Sequence, residues 1–424
     1  MKGWSKRSIG DIAKVTSSKR IFLSDYVGFG VPFWRSKEVI EQFNGKDVST
    51  ELFIAQERYN EIKAKFGVPT KGDILLTSVG TVGVPHLVRN DSPFYFKDGN
   101  LTWVKDIIAE VEPYYIYLWL SSNVGQKEIQ NNLIGSSQKA LTIDSLKKIK
   151  IFLPPLPTQK KIAGILSAYD DAIENNLRRI KLLEEMAQIT YEEWFVRLRF
   201  PGHTTTPINK ATGLPEGWRY GSLGDLVEFQ NGYAFKGGDF KNEGFPVIKI
   251  KNIGGNTVDI KDTDFVDSEV ANVASKFKLD EGDLLIAMTG ATIGKTGFLP
   301  FSSKPCYLNQ RVGKFLRKKD GNNIHYIFAA IGGDRGLQQV LGLASGAAQP
   351  NISGNQILSL KCTVPSREIL SKYSSLMQSN FGLILGFVRQ NQRFREARDI
   401  LLPRLMTGVI DAEKYQPENF LNKN

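Results

Sequence analysis

The stretch KGDILLTSVGTVG (71–83) returns as EGDLLIAMTGATIG (281–294). Each reads as a turn, a short apolar strand and a glycine-punctuated loop. Working outward, Trp4, Gly10, Asp11 and Pro32 have counterparts in Trp218, Gly224, Asp225 and Pro246, each 214 residues later. Downstream, the small polar GSSQKALTI (135–143) is answered by SGAAQPNIS (345–353). Pro154 and Pro365 then each open a long heptad-patterned stretch. A chain that states one globular unit and one helix twice is a pseudo-symmetric, two-armed molecule rather than one built round a single active site.

Within the first unit, DILLTSV, PHLV and LTWVK read as strands and PYYIYLWLSSNVGQKEI, from Pro113, as one helix. SLKKIKIFLPP closes the unit with a strand. Thr158 is placed to cap the next helix, in which only Gly164 interrupts before Pro201. Ile162, Tyr169, Asn176, Leu183 and Thr190 fall seven apart, interleaved with Leu166, Ile173, Ile180, Ala187 and Trp194. That is a coiled-coil seam, and about 40 residues at 1.5 Å each make a rod of about 60 Å. After a Pro/Gly/Thr-rich linker (199–218), the second unit runs to Pro365. Ser366 is placed to cap a second helix, with Glu368 in its first turn. Ile369, Leu376, Leu383 and Ala397 give one seam line there, and Tyr373, Phe387, Phe394 and Leu401 the other. Asn380 and Gln390 interrupt it and Pro403 marks its end. Two amphipathic helices separated by a returning unit predict an antiparallel pair; the alternative is two helices that each cap their own unit.

The formal charge of +11 is spread over both units and allows a polyanionic partner without demanding one. Two cysteines, Cys306 and Cys362, and three scattered histidines, His86, His203 and His325, supply neither a disulfide framework nor a metal-ligand set. No apolar run reaches transmembrane length and the first residues lack a signal-peptide core, so a cytoplasmic setting without a membrane is expected. GATIGKT (290–296) imitates a phosphate-binding loop but has three residues between its glycines where four are needed. Its twin GTVGVP has no Lys-Thr, so the glycines read as turn chemistry. No NPPY or DPPY, no GxGxxG opening a helix and no HExxH is present. A single-chain methyltransferase or nuclease therefore lacks its residues.

Polar clusters carry the binding signal. Asn309, Gln310 and Arg311 offer bidentate partners for adenine and guanine edges, with Asn100 at the twin position. Lys249, Lys251 and Asn252 alternate along one segment, as do Arg35, Ser36 and Lys37 in the other copy. Basic groups suit phosphates and amides suit base edges. The candidate DNA contacts of the first unit are completed by Lys19, Arg20, Thr77, Ser78, Thr81, Ser136, Ser137, Gln138 and Lys139. Those of the second add Asn231, Tyr233, Lys236, Thr289, Thr292, Lys295, Ser345 and Gln349. A protein-interaction scaffold with a merely basic surface is the competing reading.

Four segments together resemble one family. LPPLPTQKKIAGIL at Leu153, YEEWFVRLRFPGH at Tyr191, GLPEGW at Gly213 and LLPRLMTGVID at Leu401 are similar to the junctions of the specificity (S) subunit of type I restriction-modification systems. CTVPSREIL at Cys362 is less proline-rich than the first junction. The resemblance implies an α+β chain with two similar target recognition domains (1–156 and, with its linker, 201–365). Two long antiparallel helices (157–200 and 366–408) would form a pseudo-two-fold coiled coil, followed by a polar tail (409–424). It implies that the chain does no chemistry and reads a bipartite, asymmetric site in double-stranded DNA. The helical pair would set the spacer and dock two methyltransferase (M) subunits, with two restriction (R) subunits optional. S-adenosylmethionine then belongs to the M partner, ATP and Mg²⁺ to the R partner, and no cofactor to this chain. Tyr191, Trp194, Phe195, Arg395, Arg398 and Leu402 are the expected partner anchors.

Overall fold

A computed structural model describes residues 3–45, 48–135, 139–319, 321, 323–344 and 350–415. The chain divides into two units, 1–174 with 393–424 and 175–392, so each long helix contributes to both. In the first unit Lys14–Thr16, Leu101–Lys105, Ile74–Thr77 and Pro85–Leu87 form an antiparallel sheet in that order. A second sheet orders Tyr26–Val27, Phe53–Ile54, Val31–Trp34 and Tyr95–Phe96, the last pair parallel. Ser5–Ser8 pairs with Lys150–Leu153 and closes the unit.

The second unit repeats this plan. Val227–Asn231, Val312–Arg317, Leu284–Ala287 and Thr296–Phe298 make its four-stranded sheet, and Arg219–Ser222 pairs with Lys361–Val364. Its other sheet gains a fifth strand, Lys278–Leu279. The copies diverge where the first unit inserts the helix Ser36–Phe43 and the second has a single 3₁₀ turn, Ile250–Asn252. The apolar strands at 74–77 and 284–287 are buried along their whole length, as central strands covered on both faces must be.

The segment read as one helix from Pro113 is two, Pro113–Ser121 and Asn123–Asn131. Ser122 ends the first by donating to the Trp119 carbonyl and caps the second by accepting from the Gly125 amide. A Cβ on Gly125 would meet the Trp119 carbonyl oxygen at 2.0 Å, and one on its twin Gly336 the Ala330 oxygen at 2.2 Å. Only glycine allows so tight a corner, and the corner is duplicated.

The first long helix, Leu156–Tyr191, continues through a π turn, Glu192–Val196. It starts before Thr158, whose hydroxyl is therefore no cap and instead donates to Glu413. Ile162, Leu166, Ile173, Ile180 and Ala187 are buried, as the heptads predict. The second, Arg367–Met406, begins directly after Ser366 and carries Pro403 inside it rather than ending there. One of its seam lines is shifted by a residue. Leu376 and Leu383 are exposed, while Leu370, Met377, Ile384 and Asn391 are buried at intervals of seven, and Leu405 is buried two heptads further on, past the half-buried Arg398. Asn380 does not interrupt the seam: it is buried and donates to the Leu183 carbonyl.

Antiparallel pairing is visible inside each unit. In the first, Arg398 reaches Asp170 at 2.6 Å and Leu401, Leu402 and Leu405 pack with Ile162 and Leu166. In the second, Asn176 donates to Asn391 at 2.9 Å and Ile180 and Ala187 share a core with Tyr373, Met377 and Ile384. The described start of the tail is docked rather than free, with Ala412 and Tyr415 buried in the first unit's core.

Candidate nucleic-acid interface

In each unit one end of the four-stranded sheet collects the loops that the sequence singled out. Beyond Thr77, the Ser78 amide donates to the Asn100 carbonyl at 2.8 Å, and the Leu141 amide donates back to the Ser78 carbonyl. Val79 bridges Ala140, so the GTVG loop lies beside the described part of GSSQKALTI. In the second unit the Met288 amide donates to the Arg311 carbonyl, the Ile352 amide to Met288, and Thr289 bridges Asn351. The Thr292 hydroxyl ties the Ile250 turn to the same end. Tyr233 joins it too, its carbonyl accepting from the Gln310 amide.

The glycines of this end are structural, as their recurrence without the lysine predicts. Gly80, Gly83, Gly290 and Gly294 all have φ between 76° and 90°. A Cβ on Gly83 would meet Ile129 at 3.1 Å, and one on Gly294 would meet Leu337 at 2.9 Å and Val340 at 3.0 Å, so each loop runs close to the helix behind it.

Side-chain exposure sorts the candidate contacts. Lys19, Lys37, Thr81 and Lys139 are exposed in the first unit, and Asn231, Lys236, Lys251, Lys295, Gln310 and Arg311 in the second. Ser36, Asn100, Tyr233 and Thr292 are half-buried at the same end. Five others are corrected by the structure, because their side chains face the protein. Thr77, Ser78, Asn252, Thr289 and Asn309 are all buried. Ser78 shares a 2.6 Å hydrogen bond with Thr102, and Thr77 donates to the Thr81 carbonyl. Asn252 donates to the carbonyls of Asp259 and Asp262 and accepts from the Lys249 amide, bracing its own turn. Several cations are already paired: Arg20 with Asp98, Arg35 with Glu38, and Lys249 and Lys251 with Asp264. Lys249 also sits 3.5 Å over the Phe240 ring. Ser136, Ser137, Gln138, Ser345 and Gln349 lie outside the described residues.

Of the expected partner anchors, two are buried and four half-buried. Phe195 is buried, edge-on to Tyr326 and Tyr373, and Leu402 is buried as well. Trp194 lies against Tyr373 and Tyr191 against Tyr326. Arg398 is committed to Asp170 and Asp399, and Arg395 has a partner of its own. The apolar surface of the helices is elsewhere. Leu182, Met186 and Ile189 are exposed at intervals of four and three, with Leu376 and Leu383 exposed on the second helix. A heptad search for a seam discards outward-facing leucines, so sequence reasoning passes over this stripe.

The chain is a duplicated α+β protein in which each copy holds part of both long helices and gathers one loop cluster at a sheet end. The family model for the type I restriction modification DNA specificity domain matches residues 1–185 and again 215–380, and the chain belongs to that family. It is 25% identical to the MjaIX type I restriction enzyme specificity subunit of Methanocaldococcus jannaschii, over 97% of this chain and 95% of that one. The MjaVIII specificity subunit of the same organism is 26% identical over 70% of each chain. The HindI specificity subunit of Haemophilus influenzae is 23% identical over 97% of this chain and all of its own. The crystal structure of the S subunit of a type I restriction-modification system from M. genitalium shares the fold, with a TM-score of 0.58 at 17% identity. That match covers 95% of this chain and 96% of the other.

Proposed function

We propose that this chain is the DNA-reading subunit of a type I restriction-modification complex and performs no chemistry itself. Each unit would lay its loop cluster into the major groove of one half-site, where all four base pairs are distinguishable. The observation that carries this reading is a common frame with unlike exposed groups. Both ends are built by the same glycine turns and the same strand-end hydrogen bonds. One presents Thr81 and Lys139, the other Gln310, Arg311 and Lys295. Equal frames with different donors suit a bipartite, asymmetric target. The helices act as the spacer. Their outward stripe at Leu182, Met186 and Ile189 takes a methyltransferase subunit, in place of the buried Phe195 and Leu402. S-adenosylmethionine is the partner's cofactor, and base flipping belongs to the partner's pocket. ATP and Mg²⁺ belong to a restriction partner, and the complex works in the cytoplasm.

The test is to sequence the modified bases in DNA from cells carrying this chain with its methyltransferase subunit. Arg311→Ala or Gln310→Ala is expected to relax one half-site only. A lost bidentate contact costs about 1–3 kcal/mol of discrimination at that base. Uniform loss on unrelated sequences would reduce these two residues to phosphate contacts. Absence of duplex affinity with the methyltransferase subunit present would leave a protein-interaction scaffold as the reading.

A further inference from the structure

The first unit carries a basic cleft of about 250 Å³ beside the end of the strand Lys14–Thr16. Lys14 and Lys105 stand directly opposite each other across the antiparallel pair. Like charges in that register repel, and the arrangement is destabilising unless an anion lies between them. Lys19 supplies a third ammonium on the cleft wall. No carboxylate lines the cleft; outside the lining, Asp106 lies 3.9 Å from Lys105, and Asp73, bonded to the Trp103 indole, also feels the Lys105 charge.

The floor is built rather than incidental. The Lys19 amide donates to the hydroxyl of the fully buried Tyr95 at 2.7 Å, which fixes the chain as it leaves the strand. Lys105 is held 4.2 Å over the Trp103 ring and Lys19 lies 5.3 Å over Phe66. The hydroxyls of Ser17 and Ser18, both on the cleft wall, are buried and have no hydrogen-bond partner among the described residues. An unsatisfied buried hydroxyl costs about 1–3 kcal/mol, so two of them beside three ammonium groups call for an acceptor with several oxygens.

The second unit has the same backbone frame with this chemistry removed. The register pair Lys14 and Lys105 becomes Glu228 and Leu316. Ser18 becomes Gly232, on which a Cβ would meet the Asn309 carbonyl at 2.1 Å. There the chain passes from the four-stranded sheet to the other one: the Tyr233 amide donates to the carbonyl of Leu308, a strand residue of the five-stranded sheet.

We propose that the cleft of Lys14, Lys19 and Lys105, with the Ser17 and Ser18 hydroxyls, binds a phosphate group. The source is either a backbone phosphodiester of DNA held by the first unit or a free phosphate ligand. The first source rests on the function proposed above; the second does not.

Two variants test the site: Lys14→Gln/Lys19→Gln/Lys105→Gln, and Ser17→Ala/Ser18→Ala. The serine variant removes orphaned hydroxyls, so its melting temperature should equal or exceed that of the parent chain. Inorganic phosphate is titrated calorimetrically into the full-length chain and both variants. Duplex affinity is measured with the methyltransferase subunit bound, across a salt series. For the DNA source, the lysine variant should bind every duplex about tenfold more weakly with unchanged half-site preference. Its log–log salt slope should shrink by about 0.9, the value of one phosphate contact. For the free ligand, the salt slope stays fixed while phosphate binds the parent and binds both variants at least several-fold more weakly. If phosphate affinity and salt slope are the same in all three proteins, the cleft is not a phosphate site, and parental sequence-specific affinity would leave the proposed function standing. If no protein binds duplex, that function falls, and the phosphate titration alone decides the cleft.

Discussion

The second residue of equivalent helices shows how one position is solved twice. In Pro113–Ser121 it is Tyr114, whose hydroxyl donates to Asp170, a carboxylate also held by Arg398. In Ile324–Gly332 it is His325, buried and stacked on Phe381 with centroids 5.0 Å apart. The His325 Nδ1 has no hydrogen-bond partner among the described residues. Burial, with the nearby Arg317 charge second, pushes this imidazole down to about 4 from 6.5. The folded form therefore resists a proton that the unfolded chain accepts below 6.5. Stability is full above pH 6.5 and falls as pH drops toward 4. Across that interval the folded state loses on the order of 3 kcal/mol. His325→Phe suits the aromatic surroundings of Phe298, Phe328 and Phe381 and carries no proton. Its urea midpoint should differ less between pH 7 and pH 5 than that of the parent chain; an equal gap in both proteins would clear His325 as the source. The same scale limits what sequence reveals. Asn252 and Asn309 have the chemistry of base readers, as Gln310 does, yet only Gln310 reaches solvent. Residue type states what a side chain can bond, and only the fold states what it faces.

At the level of elements, periodicity was highly legible and its phase was not. In the first helix heptad counting finds the buried line, Ile162, Leu166, Ile173, Ile180 and Ala187, although Leu182 and Met186 stand beside seam residues and face outward. The second has adjacent pairs, Leu376–Met377 and Leu383–Ile384, and counting cannot choose between neighbours. The structure chooses Met377 and Ile384, which continue the line of Leu370 and Asn391. Asn391 is then a seam residue facing Asn176, which also lies 3.3 Å from the Gln390 amide oxygen. Such a buried polar pair fixes register at a cost in stability. Asn391→Leu alone should destabilise by about 1–3 kcal/mol, since it removes the shorter of the two hydrogen bonds that the buried Asn176 amide donates. Adding Asn176→Leu should recover most of that, a coupling read from a double-mutant cycle in urea. Additive losses would show that the amides do not act as a pair. The outward stripe makes a separate prediction. Leu182→Asp with Ile189→Asp should leave the melting temperature of the chain within a few degrees, because both residues are over 60% exposed. Co-purification of the methyltransferase subunit should fall at least tenfold; full retention would return the docking face to other residues.

Duplication is the level at which the sequence spoke most clearly, since paired tryptophans, prolines and glycine turns mark positions where backbone geometry admits few residues. What it left open is what duplication leaves free to drift: the helix Ser36–Phe43 in one copy against a 3₁₀ turn in the other, and the lysine pair against Glu228 and Leu316. The helices, by contrast, keep their heptads in both copies, as an element with a fixed length must if it measures a distance. Seven residues of helix span about 10.5 Å, close to three base pairs at 3.4 Å each. Removing one heptad from each helix at facing positions preserves the seam, because the pattern repeats every seven residues. The spacer accepted between half-sites should then shorten by about three base pairs, with both half-site sequences unchanged. Three base pairs are also roughly 100° of a turn of about 10.5, so even the best new site should be bound more weakly than the parent's own. Sequencing of methylated sites reads both outcomes at once. A fixed spacer with altered bases would mean that the helices hold the reading units without measuring the gap between their targets.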